Sequence, residues 1–341
     1  MGLIGTRRAE ILREEGRAEL VGVVDANSQK ASRASREFGC GMFGDWNEAV
    51  GSQDVSAVIV ATSNEMLTMI TAAALKSGKH VLCEKPAGRS LDEARRMHEA
   101  AERTGRTLAF GFNHRHTAGM LKAKEIIETG GIGNLLWIRA RYGHGARPGF
   151  EREWRADPKR AGGGELLDQG VHLIDLARQF LGSVDRAFGI SRTMAWSIAP
   201  LEDNVFCLLE HERGRVSQLH ATITQWKNLF SFEICGDEGA VIVEGLGGSY
   251  GKERVTWQRR RPESGPPNEE SFEFDDNLGS WRREWRAFLD AAAGRPPSPG
   301  SAPIANGADG VAIMGVVDAL YRSTRSGSPE HIRHAEAGAA T

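Results

Sequence analysis

Residues 1–112 alternate short apolar runs with amphipathic stretches of helical length, and this alternation constrains the fold more than any other feature of the chain. Strand-like runs fall at 18–24, 55–61, 80–83 and 107–111, with helical patterns at 28–38, 65–76 and 91–103 between them. Ser90 fits a helix N-cap, and Gly78 and Gly105 fit helix stops. Such alternation predicts a parallel, doubly wound sheet. The run at 80–83 ends in Glu84-Lys85-Pro86. Open α/β sheets hold ligands at the carboxyl ends of their strands, which makes Lys85 a candidate site residue. Pro86 fixes the direction in which the chain leaves it. Taken alone, these residues fit an exposed Glu–Lys pair at an ordinary strand end equally well.

The amino terminus bears on the ligand. A dinucleotide fold opens with a strand, then G-x-G-x-x-G, then a helix, with an acidic residue about 20 positions on. Gly2-Leu3-Ile4-Gly5 fits the last four positions of that motif, a helical pattern follows, and Asp25 comes 20 residues after Gly5. In this register Met1 is the first x, and the first glycine and the first strand are missing. The competing reading makes Gly2 and Gly5 a flexible leader. The missing strand would be the central one of a doubly wound sheet. Its loss would leave neighbouring backbone groups unpaired at about 1–3 kcal/mol each. The register therefore predicts that the natural protein starts upstream of Met1. It also predicts weak NAD binding by a chain that starts here, because the tight turn seats the pyrophosphate on the helix N-terminus. Asp25 would accept from ribose hydroxyls and repel a 2′-phosphate, and Ala26 and Asn27 bring no arginine, so NAD is favoured over NADP.

A chain of 341 residues suits two domains. The pattern divides it into 1–112, a second α/β domain over 113–333, and a disordered tail at 334–341. A formal net charge of −2 argues against a nucleic-acid or anionic-membrane partner found through bulk charge. Cys40, Cys83, Cys207 and Cys235 lie far apart without metal-type pairing and read as reduced thiols. No apolar run approaches membrane-spanning length, and the first residues lack a signal-peptide layout. Cytoplasm is the default location.

In the second half, Asn113 to His116 leaves the last strand of the first domain. His114 and His116 raise the question of a metal, but no carboxylate or cysteine stands near at ligand spacing, so none is expected. Arg115 reads better as a ligand or substrate contact, with Asn113 beside it. A helix at 121–127 precedes a strand at 135–142 that carries Arg141. Residues 149–161 form a polar, aromatic loop with Trp154, Arg155, Asp157 and Lys159. Such loops set substrate choice when they lie over a pocket; the alternative is a surface loop with a packed tryptophan. Gly162-Gly163-Gly164 permits close backbone approach, and a helix is expected over 165–181. Asp168 and His172 are four apart and share one face of it. A carboxylate beside an imidazole orients it and raises its pKa, which suits a proton acceptor. The plainer reading is a surface pair contributing a few tenths of a kcal/mol. Strands are expected at 205–210, 216–224, 230–235 and 240–244, a loop at 262–268, and helices at 281–293 and 305–325. A large sheet with one open face predicts a homodimer or homotetramer.

Together these stretches resemble the Gfo/Idh/MocA family of oxidoreductases. The resemblance rests on Gly2-Leu3-Ile4-Gly5, on residues 74–86 ending in Cys83-Glu84-Lys85-Pro86, on Gly111-Phe112-Asn113-His114-Arg115, and on residues 162–176 around Asp168 and His172. It implies an α/β protein with an N-terminal Rossmann domain and a C-terminal α/β domain built on a large, open, mainly antiparallel sheet. It implies NAD(P)-dependent hydride transfer at a hydroxyl carbon of a sugar, cyclitol or nucleotide sugar. Lys85, Asp168 and His172 match the catalytic positions. Gly2, Leu3, Ile4, Gly5, Asp25, Thr62, Ser63, Asn64, Glu84 and Lys85 match cofactor contacts. Asn113, Arg115, Arg141, Trp154, Arg155, Asp168 and His172 are the substrate-side candidates. The glycine motif departs from the family pattern by being incomplete, as does the loop with Ser63 where proline and Leu67 where histidine are common. Two other readings stay open: a dinucleotide-binding regulator without activity, and an enzyme that recycles NAD to drive elimination or glycoside cleavage.

Overall fold

The computed structural model describes residues 1–333. Residues 334–341, expected as a disordered tail, lie outside them. The chain divides into two compact units, Met1–Asn113 with Trp281–Val311, and His114–Ser280 with the residues from Ala312 onward. The first therefore draws on two distant stretches, which a linear division at residue 112 does not show. No helix of the described residues is long and apolar enough to cross a membrane.

The first unit begins α1 (Leu3–Glu15), β1 (Gly22–Val23), α2 (Ser28–Phe38), β2 (Gly41–Met42), α3 (Trp46–Gly51), β3 (Ala57–Val60), α4 (Asn64–Lys76), β4 (His80–Cys83), α5 (Leu91–Thr104) and β5 (Leu108–Phe110). The helices start where side chains accept orphan amides. Asn27 accepts from Gln29 and Lys30 at 3.0 and 3.1 Å, and Ser90 accepts from Glu93. Strands β3, β4 and β5 pair in parallel, with Ile59 opposite Leu82 and Leu82 opposite Ala109. Strands β1 and β2 pair only with each other. The expected single sheet is thus in two pieces, because no strand of the described residues lies between β1 and β3. Strand β1 keeps two residues of the seven expected at 18–24, having a partner on one side only. Strand β3 is mostly half-buried, whereas Val81, Leu82 and Cys83 of β4 are fully buried.

The second unit contains α6 (Ala118–Glu128), β6 (Leu135–Gly143), α7 (Pro158–Ala161), α8 (Val171–Leu181), β7 (Val184–Arg192), β8 (Asn204–His211), β9 (Val216–Thr222), β10 (Leu229–Gly236), β11 (Gly239–Glu244), β12 (Glu253–Arg259) and β13 (Asn268–Phe274). Beyond it in sequence come α9 (Gly279–Ala292), β14 (Ala305–Asn306), α10 (Gly307–Ser326) and β15 (Glu330–His331). Strands β12, β13 and β15 went unread in the sequence. Nine strands form one sheet in the order β13-β12-β11-β10-β6-β9-β8-β7-β15, antiparallel except for the β6–β9 pair. Helices α6 and α8 cover one face. The other carries the cross-strand row Ile190, Phe206, His220 and Arg141. Ile190 is 40% and Phe206 42% exposed, so this face is open.

Strand β14 pairs with β5, and α9 is tied to α1 by ion pairs of Arg282 with Glu14 and Arg286 with Glu15. Buried among these elements, Arg8 of α1 donates to Glu84 at 2.7 Å and to Glu284 at 2.5 Å, and lies 4.4 Å from the Trp281 ring centroid. Removing one member of a buried ionic cluster strands the others, at about 3–5 kcal/mol. Arg8→Met should lose that much in denaturant unfolding. Adding Glu284→Gln should recover part of it, and a loss under about 1 kcal/mol would contradict the stranded-charge account.

Candidate functional site

In the first unit, the buried strand β4 delivers Glu84 and Lys85 at its carboxyl end. The Lys85–Pro86 peptide is cis, and Lys85 is half-buried. Glu84, expected as a cofactor contact, instead commits its carboxylate to Arg8 and supports the strand end from beneath. Gly2 is extended at the N-cap of α1, with no side-chain cap, and Leu3, Ile4 and Gly5 form the first turn. The Asp25 carboxylate accepts from the Asn27 amide at 2.8 Å and from the Met1 ammonium. Ser63 is the N-cap of α4, Asn64 its buried first residue, and the Thr62 hydroxyl donates to the Ser63 carbonyl at 3.2 Å.

In the second unit, the helix expected over 165–181 is not uniform. Leu166–Gly170 is a π-helical turn, and α8 follows it. Single π turns within helices recur at functional sites. Asp168 lies in this turn and His172 in the first turn of α8, so their spacing of four is not that of a regular helix. The glycine run is what lets the turn approach its support. Gly162 has φ 82°, and a Cβ on Gly164 would come within 2.7 Å of the Glu202 backbone nitrogen. Glu202 holds the turn with both its main chain and its side chain. Its carbonyl accepts from the Glu165 amide at 3.0 Å. Its Oε1 accepts from the Gly164 and Leu166 amides at 3.2 and 3.0 Å and from the Tyr321 hydroxyl at 2.8 Å. Burial pushes the Glu202 carboxyl above its ordinary range, against the pull of these donors. The adjacent Asp203 goes the other way: despite some burial, amides of Trp196, Ala195 and Met194 hold it low.

His172 is 5% exposed and sits in an aromatic cluster. Its ring centroid is 4.0 Å from that of His114 and 6.1 Å from that of Tyr142. The Tyr250 ring lies beside that of Tyr142, with centroids 5.6 Å apart. Burial, Tyr250 and the Asp168 and Glu165 carboxylates push the Tyr142 hydroxyl well above its ordinary value. Burial pushes Tyr250 up to about 12. Both phenols therefore stay protonated near neutrality. Asp168 is partly exposed, with the Arg155 Nε 3.6 Å from its Oδ2. Arg155 stacks on Trp154 at 4.6 Å, and Trp154 packs on the buried Phe150, Ala161, Ile198, Leu201 and Ile223. The loop at 149–161 is thus anchored, with short 3-10 turns at Phe150–Arg152 and Trp154–Ala156 and the helix α7.

Two expected substrate contacts stand elsewhere. Arg115 is 4% exposed and its guanidinium is ion-paired with Asp175, also buried. It supports α8. Arg141 alternates with Tyr142 on β6, and successive strand residues face opposite sides of a sheet. Tyr142 meets His172 on the helix-covered face, so Arg141 lies on the open face beside His220. Asn113 is buried at the start of the 3-10 turn Asn113–His116. Sequence reasoning missed Tyr142, Tyr250, Gln169 and Glu202. Alternation along 135–142 was the available signal for Tyr142; nothing local marks Glu202.

Two family models match the chain. The N-terminal model, oxidoreductase family with an NAD-binding Rossmann fold, covers residues 1–112, and the GFO/IDH/MocA C-terminal domain covers 120–242. A 1,5-anhydro-D-fructose reductase from Ensifer adhaerens is 30% identical over 317 residues, 92% of this chain and 91% of that protein. The chain belongs to the Gfo/Idh/MocA oxidoreductase family. A levoglucosan dehydrogenase from Pseudarthrobacter phenanthrenivorans is 30% identical over 247 residues, 64% of this chain and 63% of the relative's length. A solved levoglucosan dehydrogenase in complex with NADH and levoglucosan has the same fold, with a TM-score of 0.82 at 23% identity over 98% of this chain and 97% of that one. The family's named members are dehydrogenases and reductases of sugar CH–OH groups.

Glu202 offers a test of how the π turn is held. A buried carboxyl with a raised native pKa contributes stability when protonated and loses it as pH rises from the ordinary carboxylate range through the native pKa. Glu202→Gln keeps an acceptor and sheds the charge, so its thermal stability relative to the parent should improve as pH rises from about 4 to 8. Glu202→Ala should destabilise at every pH, at roughly 1–3 kcal/mol per donor left without an acceptor.

Proposed function

We propose that the chain catalyses reversible hydride transfer between a nicotinamide cofactor and a hydroxyl carbon of a sugar or cyclitol. The observation that carries this reading is the π turn and the start of α8. They put a partly exposed carboxylate, Asp168, and a buried imidazole, His172, around the same phenol, Tyr142. In the oxidation direction, His172 accepts the hydroxyl proton. Asp168 favours its charged form. Lys85 donates to the same substrate oxygen and stabilises the charge that develops there. Trp154 and Arg155 contact the substrate, and a polar or anionic sugar suits them.

The residues present fit a dinucleotide. The uncapped N-terminus of α1 suits a pyrophosphate, and the Asp25 carboxylate suits ribose hydroxyls more than a 2′-phosphate, which favours NAD over NADP. Thr62, Ser63, Asn64 and Lys85 would lie on the nicotinamide side. When bound, the cofactor supplies the hydride acceptor or donor, and the protein orients the substrate and handles the proton.

A homo-oligomer is also part of this reading. A second copy would cover the open sheet face at Ile190, Phe206 and Leu208, where the flanking charges Arg186–Glu210 and Arg139–Glu233 already pair within the chain. Four unpaired thiols suit a reducing cytoplasm, with Cys83 and Cys207 pushed up to about 12 by burial and so unreactive.

Levoglucosan, 1,5-anhydro-D-fructose, myo-inositol and glucose, each with NAD(H) and NADP(H), form the first panel. Net NADH formation supports dehydrogenation and excludes cofactor recycling, which yields none. His172→Ala and Lys85→Ala should each lower kcat roughly 100-fold or more with cofactor affinity nearly intact. Near-normal turnover in both variants refutes these roles. Asp25→Ala should weaken NAD binding and narrow its advantage over NADP in calorimetric titration.

A further inference from the structure

The sequence weighs His114 only as a possible metal ligand, and among the described residues no three His, Cys, Asp or Glu side chains converge in a group that could hold a metal. The geometry gives it another task. His114 is 6% exposed. Its ring centroid lies 4.0 Å from that of His172, with the planes tilted by 42°. Two further rings wedge it from the sheet side. Tyr142 meets it edge-on at 5.2 Å, and Phe230, opposite Tyr142 in the β6–β10 ladder, lies at 5.7 Å. Tyr142 in turn packs against the Tyr250 ring, with centroids 5.6 Å apart.

An imidazole on a helix turns about its terminal side-chain bond in a broad, shallow well, so its plane is set by what packs against it. Proton transfer needs that plane held, because a small misplacement of a reacting group costs rate out of proportion to the distance moved. Ring packing from outside the helix bears on that plane in His172.

We propose that His114 is a positioning residue of the reaction, a ring clamped between Tyr142, Phe230 and His172 that fixes the plane of the proton-accepting imidazole. The inference rests on the proton-acceptor role proposed for His172. His114 acts through shape and packing. An aromatic ring of similar size should therefore replace it, and an alanine should not.

The test compares the full chain with His114→Ala and His114→Phe, after selective 13C labelling of histidine. The His172 ring signal is identified by its loss in His172→Ala and is read without substrate or cofactor. In His114→Ala it should move or broaden beyond the parent linewidth, and in His114→Phe it should stay narrow. With whichever panel sugar the parent oxidises, His114→Ala should lose roughly tenfold or more in kcat while KM for NAD stays within about twofold. His114→Phe should recover most of that loss. An unchanged His172 signal in the alanine variant overturns the proposal, as does a kcat within about twofold of the parent or a phenylalanine variant as impaired as the alanine one. If the parent oxidises none of the sugars, the functional reading fails on its own, and the ring signal still decides whether His114 holds His172.

Discussion

Glu202 holds the π turn by its N-terminal end, and the rest of the second unit's candidate site depends on that hold. The first amides of any helix lack partners, and here two of them, together with the Tyr321 hydroxyl, converge on one buried oxygen. Burial alone would favour protonating that carboxyl. The donors pull the other way, and the net rise in its pKa records that burial is the larger effect. The cost brings a fixed start to the turn, so Asp168 and Gln169 leave it in set directions. Tyr250 meets Tyr142, and Tyr142 lies against the rings of His114 and His172. The helix beyond is pinned independently by the buried Arg115–Asp175 pair.

The first unit uses the same device in a different setting. Lys85 is half-buried at a strand end, and its neighbour Glu84 is locked by Arg8, which Glu284 also holds. One guanidinium thereby joins α1, the end of β4 and α9. Gly111 leaves room for the arrangement, since a Cβ there would sit 2.8 Å from the Glu84 carboxylate. The strand end is held by this ionic cluster below and by the fully buried Val81, Leu82 and Cys83 before it. It is not held by a continuous sheet, because β3 is paired on one side only.

Local signals in the sequence were legible where one element sufficed to define them. The helix Leu91–Thr104 begins behind Ser90 and ends at a left-handed Gly105, and both residues announce their roles by type. Strand His80–Cys83 is a plain apolar run, and its carboxyl end carries Lys85. What stayed hidden depends on distant partners. Arg115 reads as a ligand contact until Asp175, 60 residues away, takes its charge. Arg141 has the right chemistry, but a strand residue faces only one way, and its neighbour Tyr142 faces His172. Glu84 has the right place in the motif, but Arg8, which Glu284 also holds, claims it. Strand β13 is a polar edge strand with β12 as its inner neighbour, and only ladder pairing reveals the two. The π turn is invisible to a helical count, because the same apolar residues suit either turn.

In the reaction proposed here, the imidazole of His172 follows a π turn and is packed by rings from outside its own helix. In an α-helix, a carboxylate four residues before a histidine is a near neighbour, and the pair supports itself. Here rings from the 3-10 turn at Asn113–His116 and from β6 pack on the His172 ring. Asp168 and Arg155 keep the charges at the partly exposed rim, where water moderates them. The proposed mechanism thus draws on two separate supports: ring packing holds His172 in place, and the Asp168 carboxylate stands at the partly exposed rim.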